Sequence, residues 1–367
     1  MQRHHGIDTL RGLLLLFMTI NHFFWVSGGQ SPIQLFTLQP LGQVGAAEGF
    51  IFLSGLMIGL IHWQPRPNWQ AKLRQRAWQL YRYHIAALVL ILLCGLLWMT
   101  VQPSSKALYY TLFPWLLDTP LLSGVFTLLL LHKPAYFDIL PMYIVFLFFS
   151  PLALTQLHRG HWQRVVAISA LLWLLSSYVD LSQLSKQLGG PTSLNTGYFS
   201  WLAWQGLFFG GMVLGFIHQR YRLNWFRFPV ITAAVASAAI FLFLAHHHFL
   251  LNWGLHQGNL YALADKPTLG WLRVTNLLLW IYLFAYLLKN QPTLTIKPLA
   301  LLGRHSLQVF TWHYVVVLAL APIAIQLLPH PITYQVALLG AALLLFIPAL
   351  WRERKRHIPL LTLKRRA

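Results

Sequence analysis

Three ionisable side chains near the start of the chain, Arg11, His22 and Glu48, are the residue types that could carry chemistry. Histidine is the most frequent general base in enzymes, because its imidazole exchanges a proton near neutral pH. A carboxylate such as Glu48 could orient that imidazole or balance its charge. Arginine presents a fork of donors that suits a phosphate group. Together these residues predict proton transfer beside a phosphate-binding group.

The elements that must position these residues are predicted transmembrane helices. Of the 367 residues, 57% are hydrophobic and 9% are charged, whereas a soluble domain usually carries about a quarter charged residues. The pattern predicts an all-α polytopic membrane protein with about ten spans, each crossing a hydrocarbon core of about 30 Å. We predict one membrane domain at 1–351 and a basic cytoplasmic tail at 352–367. The predicted apolar segments are 11–28, 43–62, 83–101, 138–157, 165–181, 200–218, 229–249, 271–288, 305–328 and 334–351.

The formal charge of +20 arises from 27 Lys and Arg against seven Asp and Glu. A nucleic-acid-binding protein needs such cations on a soluble surface, and no hydrophilic block is long enough to form one, so we predict no nucleic-acid partner. The positive-inside rule explains the charge instead. With the N-terminus in the cytoplasm, all but five of the cations fall in cytoplasmic segments, which predicts that both termini are cytoplasmic. The five on the outer side are Lys106, Lys133, Lys186, Lys266 and Arg273.

Arg11 and His22 lie eleven residues apart, close to three helical turns, so they share a helix face with a rise of about 16 Å between them. A short outer loop joins this segment to the one that holds Glu48. At matching depth, His22 and Glu48 are predicted to contact each other. A structural hydrogen bond between two helices would explain that pair equally well. His313 has a depth close to that of His22 and could line the same cavity, or could bond to a neighbouring helix.

Arg76 and Arg304 are two further cations on the predicted cytoplasmic side. Arg76 belongs to the basic segment 72–82, and Arg304 precedes the helix of His313. Either could attract a phosphate or an anionic headgroup, and either could serve only to fix the topology. The segment 121–131 is too short to span, which favours an interfacial or re-entrant hairpin on the outer side.

No metal site is predicted. Cys94 is the single cysteine, which excludes an internal disulfide and a cysteine-based metal site. The three consecutive histidines at 246–248 point in different directions around a helix and do not converge on one ion.

At these residues the sequence resembles a known family. Arg11 and His22, with ten residues between them, resemble the signature of the acyltransferase 3 superfamily. The closer likeness is to the OpgC family, the succinyltransferases of osmoregulated periplasmic glucans. Five blocks in order carry it, at 7–12 (IDTLRG), 47–55 (AEGFIFLSG), 138–143 (DILPMY), 203–205 (AWQ) and 302–310 (LGRHSLQVF).

The resemblance implies an enzyme of the bacterial inner membrane that moves an acyl group, with succinyl favoured, from cytosolic acyl-CoA to a hydroxyl of a periplasmic glucan. Acyl-CoA would be a co-substrate, and no cofactor would be tightly bound. The resemblance also implies that His22 acts at the chemical step, with Asp8, Arg11 and Glu48 nearby. The CoA phosphates could bind at Arg11 or at the other two cytoplasmic arginines, with the pantetheine arm running along the helix towards His22. Direct attack by the sugar hydroxyl and an acyl-histidine intermediate both stay open.

Two other classes of protein fit parts of the pattern. A transporter or channel could use His22 and Glu48 as a proton or ion relay, although repeated halves with broken helices are not seen. A membrane scaffold that binds a sugar or a lipid without catalysis is the third interpretation.

Overall fold

The computed structural model describes residues 4–113, 119–179, 195–255 and 257–357, and every regular element in those ranges is a helix. Short 3-10 turns lie at Pro103–Ser105 and Leu251–Trp253. The α-helices are α1 (His5–Ser27), α2 (Gln34–Thr37), α3 (Ala46–Ile61), α4 (Trp69–Val101), α5 (Lys106–Leu112), α6 (Pro120–Leu128), α7 (Ile139–His158), α8 (Trp162–Leu175), α9 (Trp201–Tyr221), α10 (Pro229–His246), α11 (Gln257–Leu263), α12 (Trp271–Asn290), α13 (Lys297–Arg304), α14 (Ser306–Gln326), α15 (Pro331–Leu344) and α16 (Phe346–His357).

Within the described residues, eight helical stretches are long and apolar enough to cross a membrane. They correspond to α1, α4, α7, α9, α10, α12, α14 and the stretch Pro331–Arg354, which joins α15 to α16. Two shorter apolar helices, α3 with 16 residues and α8 with 14, occupy the remaining two predicted segments. The expectation of an all-α, multi-pass membrane protein is therefore confirmed. The count of ten crossings and the cytoplasmic position of both ends stay predictions.

Two elements depart from the length of a simple span. Helix α4 has 33 residues, about 50 Å at 1.5 Å per residue, which exceeds the hydrocarbon core. Its first turns carry the basic segment, so Arg76 projects beyond the apolar part of the same helix. Helix α6 has nine residues, about 13 Å, which is too short to span and agrees with the length expected for 121–131.

Glycines bring α3 and α9 into direct backbone contact. Gly55 and Gly59 face α9, and Gly211 and Gly215 face α3. An added Cβ at Gly55 would collide with the carbonyl oxygen of Phe208. Four-residue spacing of glycines on both helices is the small-residue packing that membrane helices use to approach closely. This contact anchors α3, and with it the position of Glu48 at its first turn.

A second close approach joins α1 to α13. A Cβ at Gly12 would meet the carbonyl oxygen of Leu299, and a Cβ at Gly303 would meet that of Asp8. The contact holds Arg11 and Arg304 at the same end of the bundle. Further along, α1 packs against α14, which brings the helix faces of His22 and His313 together.

Candidate functional site

A cavity of about 570 Å³ lies at the end of the bundle where the basic segments meet. Arg11 from α1, Arg76 from α4 and Arg304 from α13 all line it, as do Lys72 and Arg352. The three arginines that the sequence placed at a phosphate site therefore surround one space. Five cations around a single cavity create a strongly positive potential that attracts a polyanion.

Asp8 is the carboxylate among the cavity's lining residues, and its side chain is buried. Fourteen residues of α1 separate Asp8 from His22, a rise of about 21 Å. Asp8 and His22 lie towards opposite ends of the same helix, and a catalytic role for Asp8 stays a prediction. Asp8 can act on a ligand in the cavity and cannot touch the imidazole.

The C-terminal helix closes one side of this cavity. Glu353 on α16 accepts a hydrogen bond from Arg304 Nη1 at 2.6 Å and lies 2.7 Å from His305 Nε2. Helix α16 runs through Arg352 to His357, so the predicted tail boundary at 352 falls inside a helix. Residues 358–367 of that tail lie outside the described part of the chain. Arg304 thus lines the cavity with part of its charge already balanced by Glu353.

An aromatic pair separates the cavity from the histidines. The Arg11 guanidinium carbon lies 5.7 Å from the centroid of the Phe50 ring, and Phe50 stacks on Phe310 with centroids 5.0 Å apart. The Phe310 ring is in turn 5.1 Å from the ring of His313. Both phenylalanines are almost fully buried. The aromatic pair therefore connects a cavity arginine to the ring of His313 by direct contacts.

His22 and His313 form a direct hydrogen bond, with His22 Nδ1 3.1 Å from His313 Nε2. His313 Nδ1 also bonds to the carbonyl oxygen of Phe310. A carbonyl oxygen can only accept, so His313 Nδ1 carries the proton, and in a neutral ring His313 Nε2 is then an acceptor. His22 Nδ1 must therefore donate to it. The remaining nitrogen, His22 Nε2, is left with the free lone pair that a general base requires.

Aromatic rings surround His22 on its outer side. The ring of Tyr136 lies 5.4 Å away, that of Trp25 5.5 Å and that of Tyr314 6.1 Å. Tyr136 has a backbone φ of +69°, in the left-handed region that a bulky residue adopts only when its surroundings enforce it. Half-buried His22 is thus framed by rings of the kind that bind the apolar faces of sugars.

Glu48 does not contact His22 as the sequence predicted. Its Oε1 accepts a hydrogen bond from Arg273 Nη1 at 2.8 Å, and its Oε2 accepts the backbone N–H of Gly45 at 3.2 Å. Both charged side chains are buried. The prediction failed because it matched depth alone, and Arg273 on α12 reaches the same depth with the opposite charge. The partner of His22 is His313.

Lys266 lies beside this ion pair, in the loop between α11 and α12. Its Nζ is 5.7 Å from the centroid of the Trp25 ring, and the same ring contacts His22. The Nζ is also 5.8 Å from the Phe199 ring. Burial lowers the pKa of Lys266, and the nearby Glu48 carboxylate raises it. A cation therefore lies close to the histidine pair, in contact with the same Trp25 ring.

The sequence reasoning did not single out Tyr136, Lys266 or Arg273 as site residues. A signal for two of them was present, since Lys266 and Arg273 were among the five cations that break the positive-inside rule. Lys133 is a third exception with a local explanation, because it is buried and electrostatically paired with Asp138. Tyr136 had no such signal, because its backbone conformation is visible only in the structure.

Comparison with known families gives one match. The model of the OpgC protein family matches residues 3–357, nearly the whole chain. No curated protein and no solved structure matches the chain. The matched range includes the cavity arginines, the aromatic pair, His22, His313 and the Glu48–Arg273 pair. The chain belongs to the OpgC family.

Proposed function

We propose that this protein is an acyl-CoA-dependent O-acyltransferase of the bacterial inner membrane, which moves a succinyl group to a hydroxyl of a periplasmic glucan. Membership in the OpgC family suggests an acyltransferase of the glucan succinyltransferase type. The observation that carries the proposal is the arrangement along α1, with a cationic cavity at one end and a histidine with a free Nε2 at the other. This arrangement suits a donor and an acceptor that approach from opposite sides of a membrane.

The donor would be cytosolic acyl-CoA, with its phosphates in the cavity. Arg11 and Arg76 offer planar donor groups that bind phosphate oxygens in pairs, and Lys72 adds a third cation. The rise of about 16 Å from Arg11 to His22 is the distance that the extended pantetheine arm would bridge. Its path runs past Phe50 and Phe310, which would exclude water from the thioester.

The chemical step is a direct transfer with His22 as general base. The sugar hydroxyl oxygen attacks the thioester carbonyl carbon while His22 Nε2 takes the hydroxyl proton. When the tetrahedral intermediate collapses, the C–S electron pair leaves with the CoA sulfur, and the proton on His22 passes to that thiolate. The products are a sugar ester and CoA thiol, with no net change in charge. A base of this kind typically contributes about 10²–10⁴-fold, and positioning supplies most of the rest.

His313 is a positioning residue in this scheme, because it holds the tautomer and the angle of the His22 ring without touching the substrate. The resulting imidazolium can share charge with His313 across the 3.1 Å hydrogen bond. The rival relay through His22 and Glu48 has less support, because Glu48 bonds to Arg273 instead. Acyl transfer is better supported, because it needs the His22–His313 hydrogen bond and the cationic cavity.

Binding of CoA species to purified protein in nanodiscs tests the proposal. Succinyl-CoA and free CoA are expected to bind saturably, and Arg11→Ala and Arg76→Ala are each expected to weaken binding by about tenfold to a hundredfold, as for the loss of one charge-assisted hydrogen bond. Arg220→Ala is the matched control, because Arg220 is an exposed arginine that does not line the cavity.

A transfer assay with a glucan oligosaccharide completes the test. His22→Ala should bind succinyl-CoA normally and form no ester. Normal ester formation by a folded His22→Ala variant would refute the role of His22. Absence of binding of any CoA species to folded wild-type protein would refute the proposed function.

A further inference from the structure

One carboxylate and two cations interact beside the histidine pair. Glu48, Arg273 and Lys266 act on one another electrostatically there. Asp265, the neighbour of Lys266 in sequence, accepts hydrogen bonds at Oδ2 from the backbone N–H and the hydroxyl of Thr268. Lys266 is partly exposed, so its ammonium group is accessible to a ligand that enters from solution.

The two cations are not equivalent. Arg273 is engaged at two of its three nitrogens, because its Nη1 bonds to Glu48 and its Nε donates to the carbonyl oxygen of Ala264 at 2.9 Å. Its Nη2 is buried and has no hydrogen-bond partner among the described residues. Both carboxylate oxygens of Glu48 accept hydrogen bonds, Oε1 from Arg273 Nη1 and Oε2 from the backbone N–H of Gly45. Lys266 Nζ has ring contacts with Trp25 and Phe199 and no hydrogen bond to any described residue. Lys266 is therefore the more accessible of the two cations, because its unbonded ammonium group is partly exposed whereas Arg273 is fully buried.

The place of Lys266 defines which part of a ligand it would meet. Trp25 contacts both His22 and Lys266, which places the two residues on one aromatic ring. The phosphate-binding cavity is at the other end of α1, so Lys266 is too far away to bind CoA phosphates. A ligand group that can reach both His22 and Lys266 is close to the reacting carbonyl. It therefore belongs either to the acyl chain or to the acceptor.

We propose that Lys266 forms an anion subsite that binds the free carboxylate of a dicarboxylic acyl group while the thioester carbonyl of that group lies at His22. The inference rests on the proposed function and adds to it a residue that selects the acyl donor. A succinyl group carries such a carboxylate, separated from its carbonyl by two methylene groups. Neutral acyl groups leave the Lys266 charge without a partner. Lys266 forms and breaks no bond to the acyl carbon and keeps its proton throughout.

The test compares succinyl-CoA with butyryl-CoA, which has an acyl chain of the same carbon number without the charge. The acceptor is a neutral β-glucan oligosaccharide, so that the carboxylate can come only from the donor. Lys266→Gln is expected to lower kcat/KM for succinyl-CoA by about tenfold to a hundredfold, the value of one charge-assisted contact. The rate with butyryl-CoA should stay the same or rise.

Two control variants accompany this comparison. Lys266→Arg should recover part of the succinyl activity. Lys106→Gln, at an exposed lysine on the predicted outer side, should change neither rate.

Three outcomes would overturn the inference. An equal loss with both donors would mean that Lys266 stabilises the oxyanion or the fold, and thermal unfolding of Lys266→Gln separates those two. No loss with either donor would mean that Lys266 contacts no part of the substrate. Wild-type protein that transfers butyryl as readily as succinyl would refute the subsite and leave acyl transfer itself intact. Wild-type protein that binds CoA but transfers neither group would remove both the subsite and the proposed function.

Discussion

Replacing His313 by phenylalanine tests the histidine pair most directly. The variant keeps an aromatic ring among Phe310 and Tyr314, whose centroids lie 5.1 Å and 4.0 Å from that of His313. It removes the acceptor Nε2 and thus the 3.1 Å hydrogen bond to His22. The fold should therefore survive while His22 loses the contact that fixes its tautomer.

The expected loss of activity in His313→Phe depends on how His313 positions the His22 ring. A neutral hydrogen bond contributes only about 0.5–1.5 kcal/mol to stability, so a change in binding alone would be small. The larger loss is in catalysis, because a His22 ring with its proton on Nε2 cannot act as a base towards the substrate. General-base catalysis contributes about 10²–10⁴-fold, and His313→Phe cannot lose more than His22→Ala. We expect kcat to fall by about 10²-fold with little change in KM for acyl-CoA.

The assay follows release of CoA thiol together with ester formation, at saturating acyl-CoA and acceptor. His313→Gln should recover part of the activity, because its amide oxygen can accept the hydrogen bond from His22 Nδ1. His158→Phe is a matched control, since His158 Nε2 bonds to the carbonyl oxygen of His62 at 2.8 Å, away from the pair. The double variant His22→Ala/His313→Phe should be no slower than His22→Ala, because the second residue acts only through the first.

Two results would refute this reasoning. One is a His313→Phe enzyme whose kcat stays within about threefold of wild type. The other is a further loss on top of His22→Ala, which would mean that His313 acts on the substrate by itself.

Three further predictions concern helix α3 and the helix packed against it. Phe50→Ala should open the route between cavity and histidines and raise acyl-CoA hydrolysis without acceptor relative to transfer, measured as CoA thiol released per ester formed. Glu48→Gln should leave Arg273 buried beside a neutral partner and destabilise the protein by about 3–5 kcal/mol, seen as a lower Tm; an unchanged Tm would mean that the pair is hydrated. Gly211→Ala should lower Tm because its Cβ would collide with the backbone of α3, whereas Gly210→Ala, with open space around it, should leave Tm unchanged or raise it.

The sequence was most informative where a local pattern decides the structure. Apolar length decides whether a segment is a membrane helix, so each predicted segment contains an apolar helix. Helical periodicity decides which residues of one helix share a face, and Arg11 and His22 indeed lie along α1 on the route from cavity to histidine pair. Arg11, Arg76 and Arg304 were considered from the sequence as alternative phosphate ligands on one membrane side, and in the structure all three line one cavity.

Contacts between helices could not be predicted from apolar length, helical periodicity and depth. Depth in the membrane is one coordinate, and it does not determine which neighbour a side chain faces. Glu48 and His22 match in depth, yet Glu48 turns to Arg273 on a helix more than 200 residues later in the chain. His313 was considered as a lining residue of the same cavity, but only the packing of α1 on α14 shows that it is the hydrogen-bond partner of His22. The neighbours of α3 are set by glycines, whose role becomes clear only when the opposing backbone is known.

The cations predicted on the outer side are exceptions to the positive-inside rule. In this protein they indicate functional residues better than the rule itself does. A buried cation on the predicted outer side needs a local interaction that offsets its cost. Arg273 has Glu48, and Lys133 donates to the carbonyl oxygen of Thr196 and is attracted to Asp138. Lys266 shares Glu48 with Arg273 and has no carboxylate of its own among the described residues. The counter-charge that we propose for Lys266 is the free carboxylate of the donor, which is why that group is the partner to test.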